Sequence, residues 1–173
     1  MNLIDRINKL SQSEFLSIFG NIFEHSEWIA METYYLKPFN NFDDLCFKMI
    51  NIFNSASEKE QLKIICAHPD LANKAKIGKH LTSESRKEQV SANLYQCSKE
   101  EYEQFKKLNK SYKKKFGFPF ILSVKNKDKI EILNNFKQRI TSKTDDEFKE
   151  AIKQVKKIAN LRLIELNLKE YKL

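Results

Sequence analysis

The sequence predicts an all-α fold, and three observations predict it. Glycine and proline number only three each among 173 residues, while Lys, Glu, Leu and Ile abound, a composition that favours helices over sheets. Ser or Thr followed three residues later by Glu marks four helix starts, at Ser11/Glu14, Ser57/Glu60, Ser98/Glu101 and Thr144/Glu147. Each of these precedes apolar residues spaced by three and four, the period of a one-sided helix. With 41% hydrophobic content, the expectation is a compact single-domain bundle of about eight helices spanning 1–173, with its core over about 10–166.

The elements follow in order. After Ser11 come Phe15, Phe19, Ile22 and Phe23, and Ser26 is placed to cap a short helix in "SEWIAMETYYL", with Trp28 as a core anchor. After Asn41, the residues Phe42, Leu45, Met49, Ile52 and Phe53 form a further stripe. The helix opened by Ser57 must stop near Ala67, because Pro69 disfavours helical geometry at His68. Thr82 or Ser83 caps a helix expected to reach about Gln96, and Ser98 opens a longer one through Tyr102, Phe105, Leu108, Tyr112 and Phe116, ended by Gly117. An extended apolar segment, "FPFILSV" near 118–124, follows, closed by the polar turn "KNKD". Ile130, Leu133, Phe136 and Ile140 mark the next helix, and the last runs from Thr144 to about Leu166.

The net charge is +8, yet only four of the 31 basic residues are arginine. A lysine-dominated surface, with aromatics at core-facing spacing, is the wrong equipment for reading nucleic acid, so no nucleic-acid partner is expected. A positive field still attracts a small carboxylate. Three cysteines, Cys46, Cys66 and Cys97, form neither a disulfide framework nor a metal-binding spacing, and no two histidines stand at ligand spacing, so no metal is expected. There is no signal-peptide core and no run of eighteen apolar residues, so the expectation is a cytoplasmic protein without a membrane anchor. The final "YKL" is a distant variant of the peroxisomal S-K-L address, with tyrosine a poor substitute for a small residue.

Three features carry candidate chemistry. His68-Pro69-Asp70 sits at a helix-to-loop junction where proline stiffens the backbone beside an imidazole. The histidine either caps the preceding helix or acts as an acid or base. In "SRKEQ", Ser85, Glu88 and Gln89 share one helix surface, which alone is an ordinary solvated face. Arg162 is the most informative, because Phe148, Ile152, Val155, Ala159, Arg162 and Leu166 form one stripe and place a guanidinium among apolar residues. A buried arginine needs a counter-ion, either a protein carboxylate such as Asp70 or Glu88 or an anionic ligand. His25 reads as a cap or polar neighbour, and His80 as exposed.

At these residues the chain resembles a known family. "HPDLA", "LTSESRKEQVSANL", "LNKSYKKKFGFPFILSV" and "IANLRLIEL" are similar, in order and spacing, to the 2-oxo-4-hydroxy-4-carboxy-5-ureidoimidazoline (OHCU) decarboxylases of urate breakdown, over about Leu10 to Leu166. The resemblance implies an all-helical, cofactor-free lyase, commonly a homodimer, that converts OHCU to (S)-allantoin. It implies His68 as catalytic acid, Glu88 working beside it, and Arg162 completing the polar cluster. It further implies a substrate pocket using Pro69, the stretch Ser85, Arg86, Lys87, Glu88 and Gln89, and the segment Phe120, Ile121, Leu122, Ser123 and Val124. Arg86 and Lys87 stand at variable positions of the motif, and Asn73 stands where many members have glycine. Gln89 and backbone N–H groups of the Phe120–Val124 segment are candidate donors to charge developing on the substrate. The competing expectation is a non-enzymatic helical binding module with a lysine surface, marked by strongly salt-dependent binding.

Overall fold

In the computed structural model, residues 2–72 and 81–168 are described. Asn73, His80 and the terminal "YKL", on which sequence expectations were placed, lie outside them. The described residues form nine α-helices and one 3-10 turn, with no strand. None of these helices is long and apolar enough to cross a membrane. The chain divides into two units, one made of 1–64 and 156–173 and the other of 65–155.

The first unit holds α1 (Leu3–Lys9), α2 (Gln12–Phe19), α3 (Glu27–Tyr34), α4 (Phe42–Ser55) and most of α5 (Glu58–Ala67). The α1 helix was not foreseen. Its cap is Asn2, which accepts from the Asp5 N–H at 2.9 Å, and it buries a single residue, Ile7. The capping boxes at Ser11/Glu14 and Ser57/Glu60 form as expected. Ser26 does precede α3, but its hydroxyl donates to the Glu24 carbonyl at 2.9 Å and caps nothing. Helix α3 packs between α2 and α4. Phe15, Phe19, Ile29, Leu45, Met49 and Phe53 are buried between them, and Phe23 stacks on Phe53 with ring centroids 5.0 Å apart. Trp28, expected as a core anchor, is half-buried and lines an open groove with Lys48 and Asn51.

The second unit contains the His68 loop, α6 (Ser83–Ser91), the 3-10 turn Leu94–Gln96, α7 (Lys99–Phe116), α8 (Lys129–Arg139) and the first half of α9 (Thr144–Leu168). Helix α6 stops well short of Gln96 because Asn93 takes a left-handed conformation, φ 54°, one of the few that asparagine tolerates better than most residues. Helix α7 begins in the Ser98/Glu101 box and ends at Gly117. There φ is 81° and the N–H closes onto the Lys113 carbonyl at 2.9 Å, a geometry glycine adopts without penalty. The start of α8 is capped by Asp128 with Glu131, an acid in the role usually read from Ser or Thr.

One expected stripe and one expected capping box are corrected here. On α8 the buried face is Ile132, Leu133, Phe136 and Arg139, while Ile130 is largely exposed. The Thr144/Glu147 pair is no capping box: Glu147 is buried and its carboxylate meets Arg139 and Tyr112 instead. Between α7 and α8 the residues 118–124 are all buried and form neither helix nor strand. Phe120 stacks on Phe136 at 3.9 Å between centroids, and Tyr112 meets both rings edge-on.

Candidate active site

Helix α5 ends where the sequence requires, with the His68 N–H bonded to the Ile65 carbonyl at 3.1 Å. His68 is buried at 8% exposure and Pro69 is half-buried. The loop that follows is held from two helices. Gln89 of α6 accepts from the Ala72 N–H at 3.1 Å and donates to the Asp70 carbonyl at 3.4 Å. From α7, Asn109 donates to the Leu71 carbonyl at 3.0 Å, and Lys113 pairs with the Asp70 carboxylate at 2.6 Å. Asn109 and Lys113 are four apart and so face the same way. These bonds hold Ala72 at φ 55°, where a residue with a Cβ is disfavoured by about 1–2 kcal/mol. A loop held against that cost by three side chains fixes the backbone from which His68 projects.

Helix α6 presents the "SRKEQ" stretch as its spacing requires. Ser85 and Gln89 are buried, Glu88 is partly exposed, and Arg86 and Lys87 point outward. Thr82 caps the helix by accepting from the Ser85 N–H at 3.2 Å. The Gln89 carboxamide, expected as a donor to substrate, is engaged with the histidine loop. It thereby joins the H-P-D stretch to the S-x-x-E-Q stretch. The thiol of Cys66, two residues before His68, is pushed up by burial, with Lys113 opposing.

The 118–124 segment is fixed the same way, by side chains. The Ile121 carbonyl accepts from Arg139 Nη1 at 2.6 Å, and the Ser123 N–H donates to Gln154 Oε1 at 2.9 Å. The Ser123 amide, counted from sequence among donors for substrate, is therefore bonded to protein.

Arg162 lies in the first unit and is buried at 4% exposure, as its stripe implied. The carboxylate found beside it is Glu24, which accepts from Nη2 at 3.2 Å, while Nη1 donates to the carbonyls of Asn21 at 2.9 Å and Ile22 at 3.3 Å. Asp70, one of the two carboxylates offered from sequence alongside an anionic ligand, is paired with Lys113. Sequence reasoning missed Glu24, and the signal was slight: an acid directly after the apolar pair Ile22-Phe23. His25 beside it is exposed, at φ 45°. Two open grooves, of about 530 Å³ beside Trp28 and about 480 Å³ beside Arg139 and Lys153, include none of the expected catalytic residues. Among the described residues no group of three or more His, Cys, Asp or Glu is arranged to hold a metal.

The OHCU decarboxylase family profile matches residues 8–164. The chain belongs to the OHCU decarboxylase family. It is 36% identical to the 2-oxo-4-hydroxy-4-carboxy-5-ureidoimidazoline decarboxylase of Haloferax volcanii, over 94% of each chain. With the protein of the same name from Xenopus laevis it shares 34% identity over 96% of this chain and 95% of that one. It is 40% identical to the uric acid degradation bifunctional protein of a Bacillus strain, over 96% of this chain but only 32% of that protein. The chain thus spans about a third of that relative's length. Among solved structures, an (S)-allantoin synthase superposes with a TM-score of 0.70 at 29% identity, covering 94% of this chain and 53% of that one. An OHCU decarboxylase structure determined with (S)-allantoin superposes at 0.69 and 24% identity, which shows the shared helical fold.

Proposed function

We propose that the chain decarboxylates OHCU to (S)-allantoin in urate degradation, without a cofactor. The observation that carries this most directly is the Gln89 clamp, which bonds the H-P-D loop to the S-x-x-E-Q helix in a chain of this family. Loss of carbon dioxide leaves an electron pair on carbon. In OHCU a conjugated C=N group next to the carboxylate-bearing carbon accepts it, so the substrate is its own electron sink. The protein has to hold the scissile C–C bond perpendicular to the ring, stabilise charge on ring nitrogen and oxygen, and move protons.

His68 is assigned the proton handling: it takes the substrate hydroxyl proton or delivers a proton to one ring face, which sets the S configuration. Glu88 orients His68. Arg162, itself oriented by Glu24, fixes a polar group of the substrate or the Glu88 carboxylate. Pro69, Ser85, Gln89 and the Phe120–Val124 segment form the substrate pocket. Arg86 and Lys87 contribute through their backbone alone, since both side chains are exposed.

A homodimer in the cytoplasm completes the proposal. A reducing compartment fits the three cysteines, none of which forms a disulfide. Exposed Met31, Tyr35, Leu36 and Phe47 on and near α3 and α4 are the apolar surface that dimerisation would use.

The test is turnover of freshly generated OHCU against a protein-free blank, with circular dichroism following the handedness of the product and hydroxyisourate and allantoin as controls. Optically active allantoin formed faster than the blank, unchanged by chelator, is expected. His68→Asn should nearly abolish turnover while keeping helicity. A rate equal to the blank, or equal loss of fold and activity in that variant, overturns the assignment.

A further inference from the structure

The 118–124 segment presents a problem of its own. It is fully buried, carries no charged side chain and lies in no helix or sheet, so its backbone polar groups need partners from elsewhere. Two partners are side chains from helices that follow it: Arg139 at the end of α8 and Gln154 in α9.

Arg139 is oriented on every side. Its Nε and Nη2 donate to Glu147 Oε1 at 2.9 and 2.5 Å, its Nη1 donates to the Ile121 carbonyl at 2.6 Å, and the guanidinium carbon lies 4.6 Å from the Phe120 ring centroid. The same Glu147 oxygen accepts from the Tyr112 hydroxyl. Burial, reinforced by Glu147, pushes the Tyr112 hydroxyl well up from its ordinary value, so it stays a donor. Gln154 is oriented too, because its Nε2 donates to Glu150 Oε1 at 2.8 Å and so turns the carboxamide oxygen toward the Ser123 N–H. A buried Arg–Glu pair is seldom worth more to stability than apolar residues of the same volume. What apolar residues lack is an arm that bonds a carbonyl and fixes the adjoining ring.

We propose that Arg139 and Gln154 are positioning residues for the reaction, acting through the 118–124 segment. Arg139 sets the Ile121 carbonyl and the Phe120 ring, and Gln154 sets the Ser123 amide, two residues along. The inference rests on the reading that Phe120–Val124 lines the substrate pocket. Neither residue touches substrate; each fixes backbone that does.

Gln154→Met decides the matter, because it removes the acceptor at a half-exposed helix position where folding tolerates the change. Its kcat/KM for OHCU should fall roughly 10- to 100-fold, the scale of a small misplacement at a reacting centre, with Tm within a few degrees of the parent. Gln154→Glu combined with Glu150→Gln keeps an acceptor for the Ser123 N–H and, with donor and acceptor exchanged, the contact with position 150; it should recover most of the loss, which a purely structural role would not produce. Exchange of the Ser123 amide should speed up in Gln154→Met, with or without substrate. A folded Gln154→Met with parental kcat and KM, in a preparation whose parent turns over OHCU, overturns the inference alone. A parent inactive on OHCU, with Ser123 exchange still faster in the variant, overturns the assigned reaction and leaves the anchoring in place. Arg139→Lys, which keeps the charge but loses the fork, should match Gln154→Met in kcat/KM at a lower Tm.

Discussion

Replacing Arg162 with Met removes a guanidinium that bonds the Asn21 and Ile22 carbonyls and the Glu24 carboxylate, the last at 3.2 Å. At an effective dielectric of about 20, two unit charges at that separation attract by about 5 kcal/mol. Desolvation opposes much of this, since Arg162 is 4% and Glu24 0% exposed. Breaking such a pair from one side costs about 3–5 kcal/mol, because the other charge stays buried. We therefore expect Arg162→Met to lose about 3 kcal/mol, read as a urea midpoint, and to melt roughly 6–12 °C lower. Glu24→Gln should lose a similar amount. The double variant removes both charges and should be less destabilised than the sum by about 2 kcal/mol. Single variants each within about 0.5 kcal/mol of the parent, or effects that simply add, would refute the claim that this ion pair holds Arg162. Activity of Glu24→Gln then reports on orientation, since it leaves the guanidinium in place.

Further outcomes are expected. Gly117→Ala places a Cβ at φ 81° and should lower stability by about 1 kcal/mol through backbone strain, since no neighbouring atom stands within 4 Å of that Cβ; a thermal melt checks it. Hydrogen bonds from Ser11, Asn40, Ser57 and Lys129 hold Glu14, Asp44, Glu60 and Glu101, respectively, below their ordinary carboxylate values. Folded values below the unfolded ones stabilise above the ordinary carboxylate range, and that stability is lost as pH falls through the lowered values. Tm should hold down to about pH 5 and drop below it, and Glu60→Gln should shallow the acid limb. The Cys46 thiol is pushed up to about 12, chiefly by burial and also by Asp43, so iodoacetamide at pH 8 should label exposed Cys66 well before Cys46.

Much of the helical order was legible because caps and stripes are local signals. Ser11, Ser57 and Ser98 mark true starts, and Gly117 marks a true end. Where the reading failed, a tertiary demand had taken over a local one. Glu147 has capping-box spacing from Thr144, but buried Arg139 needs its charge more than the helix start does. Ile130 has stripe spacing, yet the face turned inward runs through Ile132, Phe136 and Arg139. The same logic that singled out Arg162 applies to Arg139 once the correct face is used. Partners of buried charges were the least legible part. Glu24 and Arg162 lie 138 residues apart, and no periodicity links such positions. The roles of Gln89, Asn109 and Gln154 were hidden for a related reason: each bonds the backbone of a loop remote in sequence, and backbone acceptors carry no residue code.

The first unit is discontinuous in the chain, built from 1–64 and 156–173 around an uninterrupted 65–155. On a ribosome, which releases residues from the N-terminus onward, the inserted stretch emerges whole before its host can be finished. Glu24 must therefore wait for Arg162, which arrives more than a hundred residues later, and until then stays hydrated. Vectorial synthesis thus makes the arrival of α9 the step that completes the first unit, and nascent chains stalled before residue 162 should resist protease in their middle third sooner than at their amino end.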